Sequence, residues 1–199
     1  MMTAAGTDTV RRHIDLLPLT DFYRRGSSRR RLPEIAWIDG GRMPRPYRDL
    51  LVHESDMTPT LEEYYGSPLH IHVLNRNVEE GILSREVVLH LGDRERPVEF
   101  GAIKIHLDRF AEGPKRRILE GHIPLGAILR EYEIDHGSHP TSFIRIMPDP
   151  LMMVALCLTF PTPLYGRCNR LTHTSGAPLA EVVEILPPEK GDGEGEKYL

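Results

Sequence analysis

Cysteine is nearly absent from this chain. Cys157 and Cys168 are the only two in 199 residues, and they lack the C-x-x-C spacing of redox or zinc motifs. Two cysteines do not build a disulfide framework, which excludes a small secreted scaffold and points to a reducing compartment, the cytoplasm. Long apolar runs are missing too. The longest, LMMVALCL at 151–158, is far too short to cross a bilayer, and the N-terminus has no apolar stretch of the signal-peptide kind. Neither GxGxxG nor GxxxxGK[ST] occurs, so no recognised loop cradles a nucleotide phosphate, and without GxSxG there is no nucleophile elbow. Lysine is absent from the first fifty residues, which hold ten arginines and six acids, a balance of +4 against −4 for the whole chain. Arginine-rich solvated ends are common, and no nucleic-acid partner is expected from this one.

What is present is an ordinary globular composition, 40% hydrophobic and 27% charged, in a chain long enough for one full core. Residues 1–48 read as an arginine-rich, partly irregular leader. A short helix is possible over 10–17, before GSSRRR at 26–31 and the prolines at 33, 44 and 46 interrupt regular structure. Residues 49–188 form the main domain, and 189–199, charged and glycine-rich, read as a disordered acidic tail. Thr58 followed by Pro59 reads as an N-cap with proline at the first helical position, in a short helix ended by Gly66. Strands are expected over 69–75, 82–91 and 98–107, two short helices over 114–120 and 124–129, and a hairpin at Ser175-Gly176. TSFIRI at 141–146 is strand material, whereas 151–158 fits a strand or a helix. The sum is an α+β domain of mostly antiparallel strands.

Ten histidines invite a metal reading, with His70 and His72 on one strand face and Asp135, His136 and His139 in one loop. No four-ligand spacing appears, so solvated or core histidines are the better reading and neither metal nor cofactor is expected. The stretch ILSREVVLHL at 82–91 is more informative. As a strand it places Arg85 in one row with Leu83, Val87, Leu89 and Leu91. An unpaired buried charge costs several kcal/mol (about 3 or more), so Arg85 needs a protein carboxylate or a bound anion. In the last strand Glu184 shares a face with Ala180, Val182 and Leu186, and Glu181 shares the other with Leu179, Val183 and Ile185. Both faces are apolar, so parity leaves open which glutamate points inward. It also leaves open whether that glutamate pairs with Arg85 or faces it across a pocket. The helix start at Pro124-Leu125-Gly126 offers backbone N–H groups suited to an anion.

In order along the chain stand HESDMT at 53–58, Arg85-Glu86-Val87, IPLG at 123–126, YGRCNRL at 165–171, a Gly-x-Pro-Leu hairpin and Glu184-Ile185-Leu186-Pro187. This order resembles the chorismate lyases (chorismate pyruvate-lyases), whose fold is shared by effector-binding domains of some transcription regulators. The resemblance covers roughly residues 50–188. It implies a single antiparallel sheet with short helices packed over it and an enclosed pocket under a helix-turn-helix flap. It also implies cofactor-independent cleavage of chorismate to pyruvate and 4-hydroxybenzoate, in the biosynthesis of a quinone or other aromatic product. Arg85 then matches the carboxylate anchor, Met57 and Leu125 (with Gly126 beside it) contribute backbone N–H groups, and Glu184 stands at the hydroxyl end. The alternative is a non-catalytic module on the same fold that binds an aromatic acid. The segment 130–164, longer than the bacterial enzymes suggest, and Glu181, close to Glu184, are departures from the pattern.

Overall fold

The computed structural model describes residues 15–25, 30–92 and 96–189. Seven strands form one antiparallel sheet: β1 (Ile35–Ile38), β2 (Leu69–Glu79), β3 (Ile82–Leu91), β4 (Arg96–His106), β5 (His136–Ile146), β6 (Leu164–His173) and β7 (Pro178–Leu186). Their spatial order is β1-β5-β6-β7-β4-β3-β2. The sheet is two meanders, β2-β3-β4 and β5-β6-β7, joined edge to edge where β4 pairs with β7 from Phe100↔Ile185 to Ile105↔Ala180. Tight turns fold each meander. Gly81 turns β2 into β3, and Gly176 turns β6 into β7, both at positive φ.

Both faces of the sheet are covered. On one lie α2 (Tyr47–Leu51), α3 (Met57–Tyr65), α4 (Glu112–Glu120) and α5 (Leu125–Glu131). Here Met57, Leu61, Leu89 and Leu186 form one apolar cluster and Ile118, Ile128, Ile103 and Val182 another. On the opposite face α1 (Leu17–Arg25) and α6 (Pro150–Ala155) pack Leu19, Tyr23 and Met152 onto Val88, Phe100, Ile144 and Ile185. The architecture is thus α+β, one sheet between two helical layers, with α4 and α5 as neighbouring short helices joined by 121–124.

Several local features differ from the expectation. The helix ahead of the sheet spans Leu17–Arg25, because its apolar side chains find a partner surface on the sheet; residues 10–14 lie outside the described chain, as do 190–199 of the tail. β1 also precedes residue 49, where α2 is already under way from Tyr47, and β1 belongs to the same sheet, pairing with β5 from Ile35↔Ile146 to Ile38↔Phe143. Helix α3 begins two residues early, at Met57, with Asp56 and not Thr58 in the cap position. The Asp56 side chain makes no cap bond because its Oδ2 binds His136 Nε2 at 2.8 Å. The ambiguous run at 151–158 opens as helix α6, capped by Asp149, whose Oδ1 accepts the Met152 N–H at 2.8 Å. Glu189, the first residue of the expected tail, is held by Tyr65, by Arg96 at 3.1 Å and by the Tyr47 hydroxyl, which accepts its N–H at 3.0 Å.

Candidate functional site

The strand registers lay out the floor of a cavity. Across β3, β4, β7 and β6, one row runs Val87–Gly101–Glu184–Arg167 and the next Arg85–Ile103–Val182–Asn169. Glu99 lies two residues before Gly101 and so shares its face. All of these except Arg167 line one cavity of about 60 Å³, measured at water centres, between the two apolar clusters. Gly101 sits in the middle of the floor. A Cβ there would meet Val87 Cγ2 at 3.1 Å and Glu99 Oε1 at 3.2 Å, so any side chain would crowd the cavity and its neighbours together.

The roof is built from two helix starts. Asp56, Met57 and Thr58 open α3, and Pro124, Leu125 and Gly126 open α5, all lining the same cavity. The first N–H groups of a helix have no partner within it. The two starts touch at Gly126, where an added Cβ would lie 3.1 Å from Thr58 Oγ1, so glycine permits the approach.

Arg85 is 3% exposed, and its Nε and Nη1 have no hydrogen-bond partner. Burial, with Arg76 adding like charge, lowers its pKa from 12.5 to about 10, and it stays a cation at neutral pH. Among the described residues no carboxylate pairs with it. Glu86, next along the strand, points to the opposite face and accepts from Arg30 Nη1 at 2.9 and 3.1 Å and from Asn75 Nδ2 at 2.7 Å.

At the other side of the cavity the charges are tied together. Arg167 is fully buried, and its Nε donates to Glu184 Oε2 at 2.5 Å. Its other nitrogens donate to the backbone oxygens of His53 and Ser55, both at 3.0 Å. Arg167 therefore fixes the loop that delivers Asp56 and Met57 to the roof. His53 is held neutral in the same cluster, its Nε2–H on Leu50 O at 2.7 Å and its Nδ1 accepting from Ser55 N–H at 3.1 Å. Burial first, then the Arg167 charge, lowers its pKa. Glu99 is buried with Oε2 unpartnered. Burial, reinforced by Glu184 and opposed by Arg167, pushes its carboxyl well above the ordinary range. Asn169 completes the wall: its Nδ2 donates to Ser138 Oγ at 2.9 Å and its Oδ1 is unpartnered.

The structure thus brings Met57, Arg85, Leu125, Gly126 and Glu184 to one cavity. Glu181 is on the other face, against His106 at 2.9 Å, which settles the direction that strand parity left open. Arg85 and Glu184 are not an ion pair. Sequence reasoning did not single out Glu99, Arg167, Asn169 or Asp56. For Glu99 the signal was available, since it falls in phase with Ile103 and Ile105, as Arg85 does with Leu83 and Val87. Among the described residues no group of three His, Cys, Asp or Glu could hold a metal ion, and no helix is long and apolar enough to cross a membrane.

No family model and no curated protein sequence matches the chain. Among solved structures it is similar to the effector domain of PhnF from Mycobacterium smegmatis, with 14% identity, 68% of this chain and 90% of that one covered, and a TM-score of 0.52. The two share a fold. Whole PhnF gives a TM-score of 0.53 at 14% identity over 68% of this chain; the chain spans 65% of that protein's length. A weaker likeness, TM-score 0.44 at 9% identity over 61% of this chain and 86% of that one, is to the ligand-binding domain of a putative GntR-family transcriptional regulator from Bordetella bronchiseptica. The likeness shows the fold that the resemblance described above implies for enzymes and effector domains alike.

Proposed function

We propose that this chain is a non-catalytic module that binds a small organic acid in the cavity under α3 and α5. The observation that carries the reading is Arg85: a buried guanidinium with two unpartnered nitrogens, lining the cavity between the two apolar clusters. Such a group is costly to keep unless a ligand anion completes it, and a planar carboxylate matches the geometry of guanidinium donors. The N–H groups that open α3 and α5, at Met57 and at Leu125 and Gly126, add donors for the same anion. Glu184, oriented by Arg167, faces the far end of the ligand. The fold shared with the effector domain of PhnF supports a binding role.

A second reading is favoured by the motif order around these residues: a cofactor-independent lyase acting on chorismate. The chain would then orient the dianion, exclude water and stabilise charge developing on the departing enolpyruvyl group, with Arg85 as the catalytic cation. Glu184 would donate or relay the proton. One experiment separates the two. Calorimetry with chorismate and 4-hydroxybenzoate on the wild type and Arg85→Met is run beside an assay for pyruvate and 4-hydroxybenzoate release. Arg85-dependent binding without release supports the module. Stoichiometric release, lost in the folded variant, establishes the lyase. Neither binding nor release overturns both.

A further inference from the structure

Asp56 is out of place in a cavity that receives an acid. It lines the cavity beside Met57 and Thr58, and its Oδ1 is buried without a partner. A carboxylate there repels an incoming carboxylate. Asp56 also stands in the cap position of the nine-residue helix α3, with the extended backbone of a capping residue, φ −67° and ψ 145°. A side chain in that place ordinarily accepts an N–H from the second or third helical residue. The third is Pro59, which has none, so a cap would take the Thr58 N–H. Asp56 does not take it.

His136 holds it away. Its Nε2 lies 2.8 Å from Asp56 Oδ2 and its Nδ1 2.7 Å from Ile134 O. A carbonyl oxygen only accepts, so Nδ1 carries a hydrogen; a carboxylate only accepts, so Nε2 carries one too. A neutral imidazole has a single N–H, and the ring that makes both bonds is therefore an imidazolium. The hydrogen bond to Asp56 outweighs burial and raises the pKa of His136. The two side chains are 16% and 18% exposed, so solvent screens the pair little. Asp135, next to the ring in the chain, adds a second acid. On β6 the cross-strand partner His173 is bound to Ser175 Oγ at 2.9 Å, and Arg167 donates to Ser55 O, one residue before Asp56. From α5 the neighbour is Gly126, where an added Cβ would lie 3.9 Å from Asp56 Cβ.

We propose that His136 is a positioning residue for the acid site: its charged ring neutralises Asp56 and holds that carboxylate off the start of α3, leaving Arg85 and the Met57 and Thr58 N–H groups to the bound acid. This rests on the acid-binding reading and goes beyond it, because His136 does not line the cavity and acts only through Asp56. With the ring charged, Arg85 is the net charge at the anion end. With the ring neutral, one of its two hydrogen bonds is lost, Asp56 regains an uncompensated charge that offsets Arg85, and its side chain is free to cap Thr58. Acid affinity therefore falls as pH climbs through the raised pKa of His136.

The test is calorimetry with 4-hydroxybenzoate, whose carboxylate is ionised and whose hydroxyl is neutral at pH 6 and at pH 8.5. The proteins are the wild type, His136→Gln and the double variant His136→Gln, Asp56→Ala, with thermal melts confirming the folded state. The wild type should bind about 10-fold more weakly at pH 8.5 than at pH 6. His136→Gln should show the weak affinity at both. Adding Asp56→Ala should bring back the wild-type affinity at pH 6, a rescue that a ring merely bracing the loop would not give. By reciprocity, the His136 ring followed by NMR in the wild type should titrate about one pH unit higher when the acid is bound. Wild-type affinity at pH 6 in folded His136→Gln, a loss that Asp56→Ala does not relieve, or a His136 titration unmoved by saturating acid overturns this inference and leaves acid binding intact. Failure of the wild type to bind 4-hydroxybenzoate at pH 6 overturns the acid-binding reading and this inference with it.

Discussion

Arg85 and Glu86 are consecutive on β3, and the sheet separates them into two different kinds of interior. On the far face Glu86 is fully buried but complete, receiving Arg30 and Asn75 while Arg30 also reaches Asp149 at 3.1 Å and lies 4.3 Å from the Tyr23 ring. Tyr23 donates its hydroxyl to Asp149 at 2.9 Å, and burial, then the Asp149 charge, raises its pKa. On the near face Arg85 is buried and incomplete. Low-dielectric surroundings strengthen a satisfied network and penalise an orphan, so the same burial stabilises one face and charges the other with unmet binding capacity. The far face holds the fold together. On the reading proposed above, the near face keeps groups in reserve for a ligand.

If that contrast is right, removing charge should have opposite consequences on the two faces. The largest effect is expected from Arg30→Met, which strands Glu86 and half of the Asp149 network and should cost about 3 kcal/mol in urea unfolding. Arg85→Met should do the reverse, raising stability by about 1 kcal/mol while abolishing acid binding, because the cation it removes has no partner to strand. A loss of stability in Arg85→Met comparable to that in Arg30→Met would break the comparison. Glu99 sharpens it through pH. Its folded pKa lies above the unfolded one, so its contribution is full below about pH 4 and is lost as pH rises through the folded value. Urea midpoints of wild type and Glu99→Gln measured from pH 4 to 9 should therefore diverge in favour of the variant at the alkaline end. The smallest effect is at the rim, where His136 is bound to Asp56 and to Ile134 O. The Asp56 bond raises its pKa, so the pair stabilises at low pH and fades as pH climbs through the raised value. His136→Gln should cost at most about 1 kcal/mol at pH 6 and less at pH 8 in the same assay.

How much of this was written legibly in the chain depends on the residue. Strand β3 has the bounds its alternation suggests, Ile82–Leu91, and Arg85 sits in its apolar row because a one-residue shift would turn the whole row over. The hairpin at Ser175-Gly176 and the start of α5 after Pro124 were readable from turn and cap chemistry. Apolar residues on both faces of β7 already carried the signature of a sheet covered on both sides. What covers the second side was not legible. Arg30 stands in an RRR run that reads as solvated, and nothing local reveals that it reaches Glu86, fifty-six residues away. Arg167 was visible as part of a motif but its partner was not, since Glu184 and Arg167 meet only through the register of β6 with β7. Long-range pairing, and not propensity, decided each of these.

The segment before residue 49 also sets the limits of any shortened version of the protein. Leu19 and Tyr23 of α1 and Trp37 of β1 lie over Val88, Phe100, Ala102, Ile144 and Ile185. A truncation that begins at residue 49 would uncover this broad patch of aliphatic and aromatic carbon, and would also free the edge of β5 that β1 occupies. Exposed apolar area of that kind beside an open strand edge favours self-association over dissolution. A fragment chosen to isolate the pocket would then precipitate for reasons that have nothing to do with the pocket.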